Sequence, residues 1–207
     1  MTCRRWTRTS TSTSRRWPNP EAFRVIVLGV DPGTAVTGYG VVRRDTGAPS
    51  LVECGIIRTR PKDPLPDRLC AIHDGIAELI ERHKPDSLAI EDVFYARNVR
   101  TTIVLGHARG VVLLCGAKAG LEISEYTPAE IKKAVCGTGG ATKEQVQFMV
   151  GSLLRLKSPP RPADAADGVA AALAHALSAV TGRKLAAAAI IQRETDTLGA
   201  LAAALGR

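Results

Sequence analysis

The stretch Val25–Val42, VIVLGVDPGTAVTGYGVV, sets an apolar β-rich run directly against a carboxylate, a Pro-Gly turn and a second β-rich run. An apolar run of this kind reads as a buried strand, and the Pro-Gly pair after Asp31 forces the chain to turn at once. A third run, LVECGIIRT, follows after the turn-rich DTGAPS, so residues 24–59 read as a three-stranded antiparallel meander. Taken alone, Asp31 is as readily a solvated turn residue as a functional carboxylate, and partners are needed to decide.

Downstream the period changes. Leu69, Ile72, Ile76, Leu79 and Ile80 recur at helical spacing, which predicts a helix over Leu65–His83. PDSLAIED is a short buried strand ending at Glu91, and Val99–Lys118 is a largely apolar helix with Gly106, Gly110 and Gly116, suited to the core or to a subunit interface. LEISEYTP predicts another strand and TPAEIKKAV a short helix, with Pro128 where its missing donor costs nothing. Thr142 and Gln145 stand at capping-box spacing before the next helix, and a last core helix begins near Ala163. Three antiparallel strands followed by alternating helices and strands predict an α/β fold, a mixed central sheet with helices on both faces.

Residues 1–23 carry five arginines against Glu21 alone and have no apolar period, so they read as a disordered basic arm. An over-extended start of the reading frame is the favoured explanation; a DNA-contacting arm and an organelle transit peptide stay open. The folded domain is expected over 24–182, and 183–207 is an Ala-rich tail, marginally helical, with no function assigned. The arm holds about half of the formal net charge of +8, leaving a mildly basic core that suits a polyanionic partner. Five dispersed cysteines form neither a CxxC pair nor a cluster with the four histidines, which argues against disulfide frameworks and zinc sites and for a reducing compartment. With no apolar run of bilayer length, a soluble, cytoplasmic protein is expected.

The partners of Asp31 are acidic. Glu91 repeats the same device, a β-rich run that ends on a carboxylate, and ligand sites in open α/β sheets favour such strand ends. Asp92 follows directly; successive strand residues face opposite ways, so only one of the two shares the side of Asp31, and Glu91 is chosen with Asp92 at the surface. In PADAADGVAAALAHA, Asp164 and Asp167 are three apart, on one helix face roughly 5–6 Å apart at Cβ. Two repelling charges there are better explained by a dication than by the helix dipole, worth only about 0.3–1 kcal/mol each. Two strand-end acids and an i, i+3 pair make an all-oxygen site for Mg2+ or Mn2+, and two such ions would serve in-line phosphodiester displacement. His175 is too far along the helix, about 16 Å from Asp164, to share that metal and reads as a rim or core residue.

On LGVDPGTAVTGYGVV, AIEDVFYARNVRTTIVLGHARG, EYTPAEIKKAVCGTGGATKEQVQ and ADAADGVAAALAHA, the chain resembles the RuvC family of Holliday-junction resolvases over about residues 24–180. The resemblance implies an RNase H-like fold and a homodimer that cleaves four-way DNA junctions with paired symmetric nicks. It implies a metal-binding tetrad at Asp31, Glu91, Asp164 and Asp167, loaded with Mg2+, and a RuvA–RuvB branch-migration complex as partner. Phe94 matches a phenylalanine that inserts near the crossover, with a core aromatic as the alternative; Lys132 and Lys143 match functional lysines on the DNA side, with solvated helix charges as the alternative. Arg97, Asn98, Arg100 and Arg109 are candidate phosphate contacts, since guanidinium and amide donors suit phosphate oxygens. Competing readings are a YqgF-type RNase H-like nuclease, a sugar- or acetate-kinase-like ATP-binding protein, which would need a second half that this chain lacks, and a non-catalytic junction-binding protein.

Overall fold

A computed structural model describes residues 24–45, 47–92 and 99–178, with Val99 and Arg100 described by backbone alone. The arm over 1–23 and the tail over 183–207 lie outside those residues. Strands β1 (Val25–Asp31), β2 (Val36–Arg44) and β3 (Ser50–Arg58) form the predicted meander. Helix α1 (Leu65–His83), strand β4 (Ser87–Glu91), helix α2 (Val99–Lys118), strand β5 (Glu122–Tyr126) and helices α3 (Pro128–Cys136) and α4 (Lys143–Leu153) follow. A last helix, α5, occupies residues 163–178 of the described chain. The five strands lie in the order β3-β2-β1-β4-β5, with β4 and β5 parallel to β1.

Each sheet face has its own core. Leu28, Val30, Val41, Leu88 and Ile90 pack with Ile72, Ile76, Ala108 and Val112 of α1 and α2. Val25, Val27, Val42 and Ala89 pack on the opposite face with Ile131, Val146, Val150 and the alanine-rich body of α5. This division follows from the two-residue period of a strand, and it fixes which way every residue at the strand ends points.

Helix α5 lies unusually close to the sheet. A Cβ placed on Gly168 would stand 2.6 Å from Cα of Tyr39, and one placed on Gly40 would meet Val169 at 2.5 Å. Gly29 and Gly38 are crowded in the same way, by the backbone of Gly168 and Ala172 and by the carbonyl of Asp164. Glycines on the strands and on the helix thus let two backbones approach to a distance that side chains would forbid. The other helices are seated by ordinary signals. Thr127 with Glu130 and Thr142 with Gln145 form capping boxes that start α3 and α4.

Gly168→Ala is expected to destabilise the protein by about 1–3 kcal/mol, the usual cost of overpacking where backbone rather than a flexible side chain must yield. Urea denaturation would show a lower midpoint with an unchanged slope.

Candidate active site

Strand parity decides the site. Residues 25, 27 and 29 of β1 and Ala89 of β4 face α3–α5, so Asp31 and Glu91, the next positions of the same series, face that side too. Val30 and Ile90 are register partners, which puts Asp31 and Glu91 at neighbouring strand ends. Across the other edge of β1, Asp31 pairs with Gly38, and the carbonyl of Asp164 rests on Gly38. The bare glycine therefore brings the first turn of α5, with Asp164 and then Asp167, up to the two strand-end acids.

The turn that follows Asp31 is pinned by its neighbours. The Thr37 hydroxyl donates to the Gly33 carbonyl at 2.6 Å. The Thr59 hydroxyl and Arg68 Nε both donate to the Thr34 carbonyl, the latter at 3.2 Å, and the Thr59 amide donates to Ala35 at 3.0 Å. These bonds leave Asp31 on a braced strand end rather than on a mobile loop.

The acids act on one another. Burial, then the charges of Asp167 and Asp164, push the Asp31 carboxyl up to about 6. Burial, then Asp31 and Asp167, push Glu91 up to about 7. Lys143, the first residue of α4, opposes both shifts, and Lys132 of α3 opposes that of Glu91. The Lys143 ammonium donates to Asp167 Oδ2 at 2.7 Å, and this bond first of all raises its own pKa. Carboxylates alone, carrying unbalanced negative charge, form a donor set that fits a hard divalent cation and not zinc. As placed, no three His, Cys, Asp or Glu side chains among the described residues stand close enough together to grip one ion.

Asp92 points the other way, as parity requires. Its carboxylate pairs with Arg109 of α2 at 3.4 Å, and the same guanidinium is bound by Glu125 of β5. The backbone amide of Asp92 also donates to the Tyr126 carbonyl at 2.7 Å, extending the β4–β5 ladder past Glu91.

A family model described as Crossover junction endodeoxyribonuclease RuvC matches residues 27–175. The chain belongs to the RuvC family. It is 47% identical over 161 residues to the crossover junction endodeoxyribonuclease RuvC of Pelotomaculum thermopropionicum, covering 78% of this chain and 98% of that protein. Among solved structures, Thermus thermophilus RuvC in complex with a Holliday junction substrate superposes with a TM-score of 0.73 at 36% identity, over 76% of this chain and 96% of that one. The yeast mitochondrial Holliday junction resolvase Ydc2 shares the fold, with a TM-score of 0.54 at 11% identity over 73% of this chain and 78% of that one. The mixed five-stranded sheet with helices on both faces is the RNase H-like architecture of these resolvases.

Within this RuvC-family fold, the predicted site residues divide into three groups. Asp31 is electrostatically coupled to Glu91, Asp164 and Asp167, with Lys143 on Asp167 and Lys132 within electrostatic reach of Glu91. Arg109 does not join them; its guanidinium is held by Asp92 and Glu125 on the α2 side of the sheet, so the fold satisfies its charge internally. Phe94, Arg97 and Asn98 and the side chain of Arg100 lie outside the described residues. His175 is a core histidine: it is buried, its Nδ1 bonds the Tyr126 hydroxyl at 2.8 Å, and burial lowers its pKa.

The sequence offered no pointer to the Arg109–Glu125 contact, because it joins residues on two elements whose alignment only the sheet register sets. The same is true of Glu53 on β3, which accepts from Tyr39 at 2.8 Å and Arg82 at 2.9 Å and meets His83 Nε2 at 2.9 Å. That cluster ties the end of α1 to the meander.

The raised carboxyls have a measurable consequence in the absence of metal. Asp31 and Glu91 hold their protons to higher pH in the fold than in the unfolded chain, where 3.8 and 4.5 apply. Their contribution to stability is therefore full below about pH 4 and is lost as pH rises through about 6 and 7. Asp31→Asn and Glu91→Gln remove the cost of ionisation. In thermal melts with chelator, each is expected to be more stable than the parent at about pH 8, by on the order of 1 kcal/mol, with the advantage vanishing near pH 4.

Proposed function

We propose that this chain is a structure-selective endonuclease that resolves four-way DNA junctions in recombination and repair by paired, symmetric phosphodiester hydrolysis. The observation that carries the reading is the electrostatic coupling of carboxylates from β1, β4 and α5 on one face of an RNase H-like sheet. Membership of the RuvC family supports the same substrate class and favours it over the YqgF-type and kinase-like alternatives.

In this reading Asp31, Glu91, Asp164 and Asp167 hold Mg2+, two ions per site, with Mn2+ able to substitute. Bound there, the metal supplies an activated water and charge stabilisation for the leaving oxygen. The chain itself orients and excludes. The braced turn after Asp31 keeps that carboxylate at the open strand end, and the glycine seat of α5 holds Asp164 and Asp167 opposite it. Lys132 and Lys143 offer positive charge to the scissile phosphate, and Phe94, Arg97 and Asn98, between β4 and α2, with Arg100 in the first turn of α2, are proposed to contact junction DNA.

Symmetric cleavage needs two sites, and we propose a homodimer formed through α2. Ile103 and Leu114 are 57% and 54% exposed, and Gly106 and Gly110, on the same face, have open space where a Cβ would stand. Positions 103, 106, 107, 110 and 114 fall on one stripe of the helix, so a second copy of α2 would pack closely over the glycines. The proposed partner beyond junction DNA is a RuvA–RuvB branch-migration complex, and the dispersed cysteines are consistent with a cytoplasmic enzyme.

Purified protein incubated with a synthetic four-way junction and Mg2+ or Mn2+ is expected to yield paired symmetric nicks, and none with chelator. Asp31→Asn should lose cleavage by about 1,000-fold or more, the scale of a group that stabilises developing charge, while retaining junction binding in a gel-shift assay. Full cleavage by that variant would refute the site. Ile103→Glu with Leu114→Glu is expected to convert a dimer to a monomer in sedimentation velocity, with loss of the paired nicks.

A further inference from the structure

Lys143 sits among the acids as their nearest positive charge in the hydrogen-bonded sense, and its position raises a question about metal entry. Asp167 Oδ2 accepts from its ammonium at 2.7 Å. A divalent cation coordinated by that oxygen, at about 2.0–2.1 Å for Mg2+, would stand beside the ammonium and repel it. The two cations would draw on one carboxylate, and their mutual repulsion sets them in competition for it. The remaining acids are not gathered either, since no three among the described residues stand close enough to hold one ion.

We propose, resting on the metal-site reading above, that Lys143 is a built-in counter-ion that occupies Asp167 and opposes metal loading until a DNA phosphate draws the ammonium away. The electrostatics extend over the whole site: Lys143 acts on Asp31 and Glu91 as well as on its direct partner. Its geometry permits release. The side chain is 54% exposed, against 25% for Asp167, and its four-carbon stem can swing without moving the backbone. The start of α4 stays fixed meanwhile, because the Thr142–Gln145 capping box holds it with bonds of 2.8 and 3.3 Å. Metal and DNA would thus be coupled: a phosphate that takes Lys143 removes the charge that opposes the cation, and by reciprocity bound cation releases the lysine for phosphate.

Calorimetric titration of the full-length protein with Mn2+ alone, without DNA, tests this. Lys143→Met is expected to bind Mn2+ about fivefold more tightly than the parent, which is about 1 kcal/mol, and Lys143→Arg, which keeps the charge, to match the parent. Mn2+ should also raise the thermal midpoint of Lys143→Met more than that of the parent. Equal or weaker Mn2+ binding by Lys143→Met, with binding still lost in Asp31→Asn, would overturn the counter-ion role and leave the metal site standing. Mn2+ binding indifferent to Asp31→Asn would overturn the metal site itself, and the counter-ion role with it.

Discussion

The close seating of α5 on the glycines of β1 and β2 is the contact on which the rest depends. Gly29, Gly38 and Gly40 on the strands and Gly168 on the helix remove the Cβ atoms that would otherwise hold helix and sheet apart. Helices and sheets ordinarily meet through layers of side chains. Here the backbone of α5 reaches the sheet directly, and the first turn of the helix is drawn to the end of β1. The alanine-rich body of α5 follows from the same requirement, since Ala165, Ala166 and Ala170–Ala172 are buried where larger side chains would lift the helix away.

That seating has an electrostatic cost. It buries carboxylates from three elements near one another, and the fold answers with cations on α3 and α4 rather than with hydrogen bonds among the acids. Lys143 is placed by a capping box, a purely local device, yet it reaches Asp167 24 residues further on. On the opposite side of β4 and β5, Arg109 gathers Asp92 and Glu125. The end of β4 therefore carries two acids with separate surroundings, one turned to the acids of β1 and α5 and one turned to α2, and strand parity alone separates them.

Local signals in this chain were strong. The change from a two-residue to a helical period at Leu65, the turn chemistry after Asp31 and the Thr142–Gln145 box each depend on neighbours in sequence, and each is present in the structure. The choice of Glu91 over Asp92 was equally legible, because it needs only the alternation of a strand. Arg109 was not. A guanidinium suits a carboxylate as well as a phosphate, and which one it meets depends on how α2 lies across β4 and β5.

The sequence by itself determined the elements, the parity of their residues and the acidic character of the site, since all of these are properties of a chain read over a few residues. Only the tertiary structure decided how near the acids come to one another and which cation stands among them. Those distances are set by the glycine contacts between α5 and the sheet, by the parallel register of β1 with β4, and by the reach of Lys143 across to Asp167. No spacing along the chain encodes them, because each joins residues whose separation in sequence is unrelated to their separation in space.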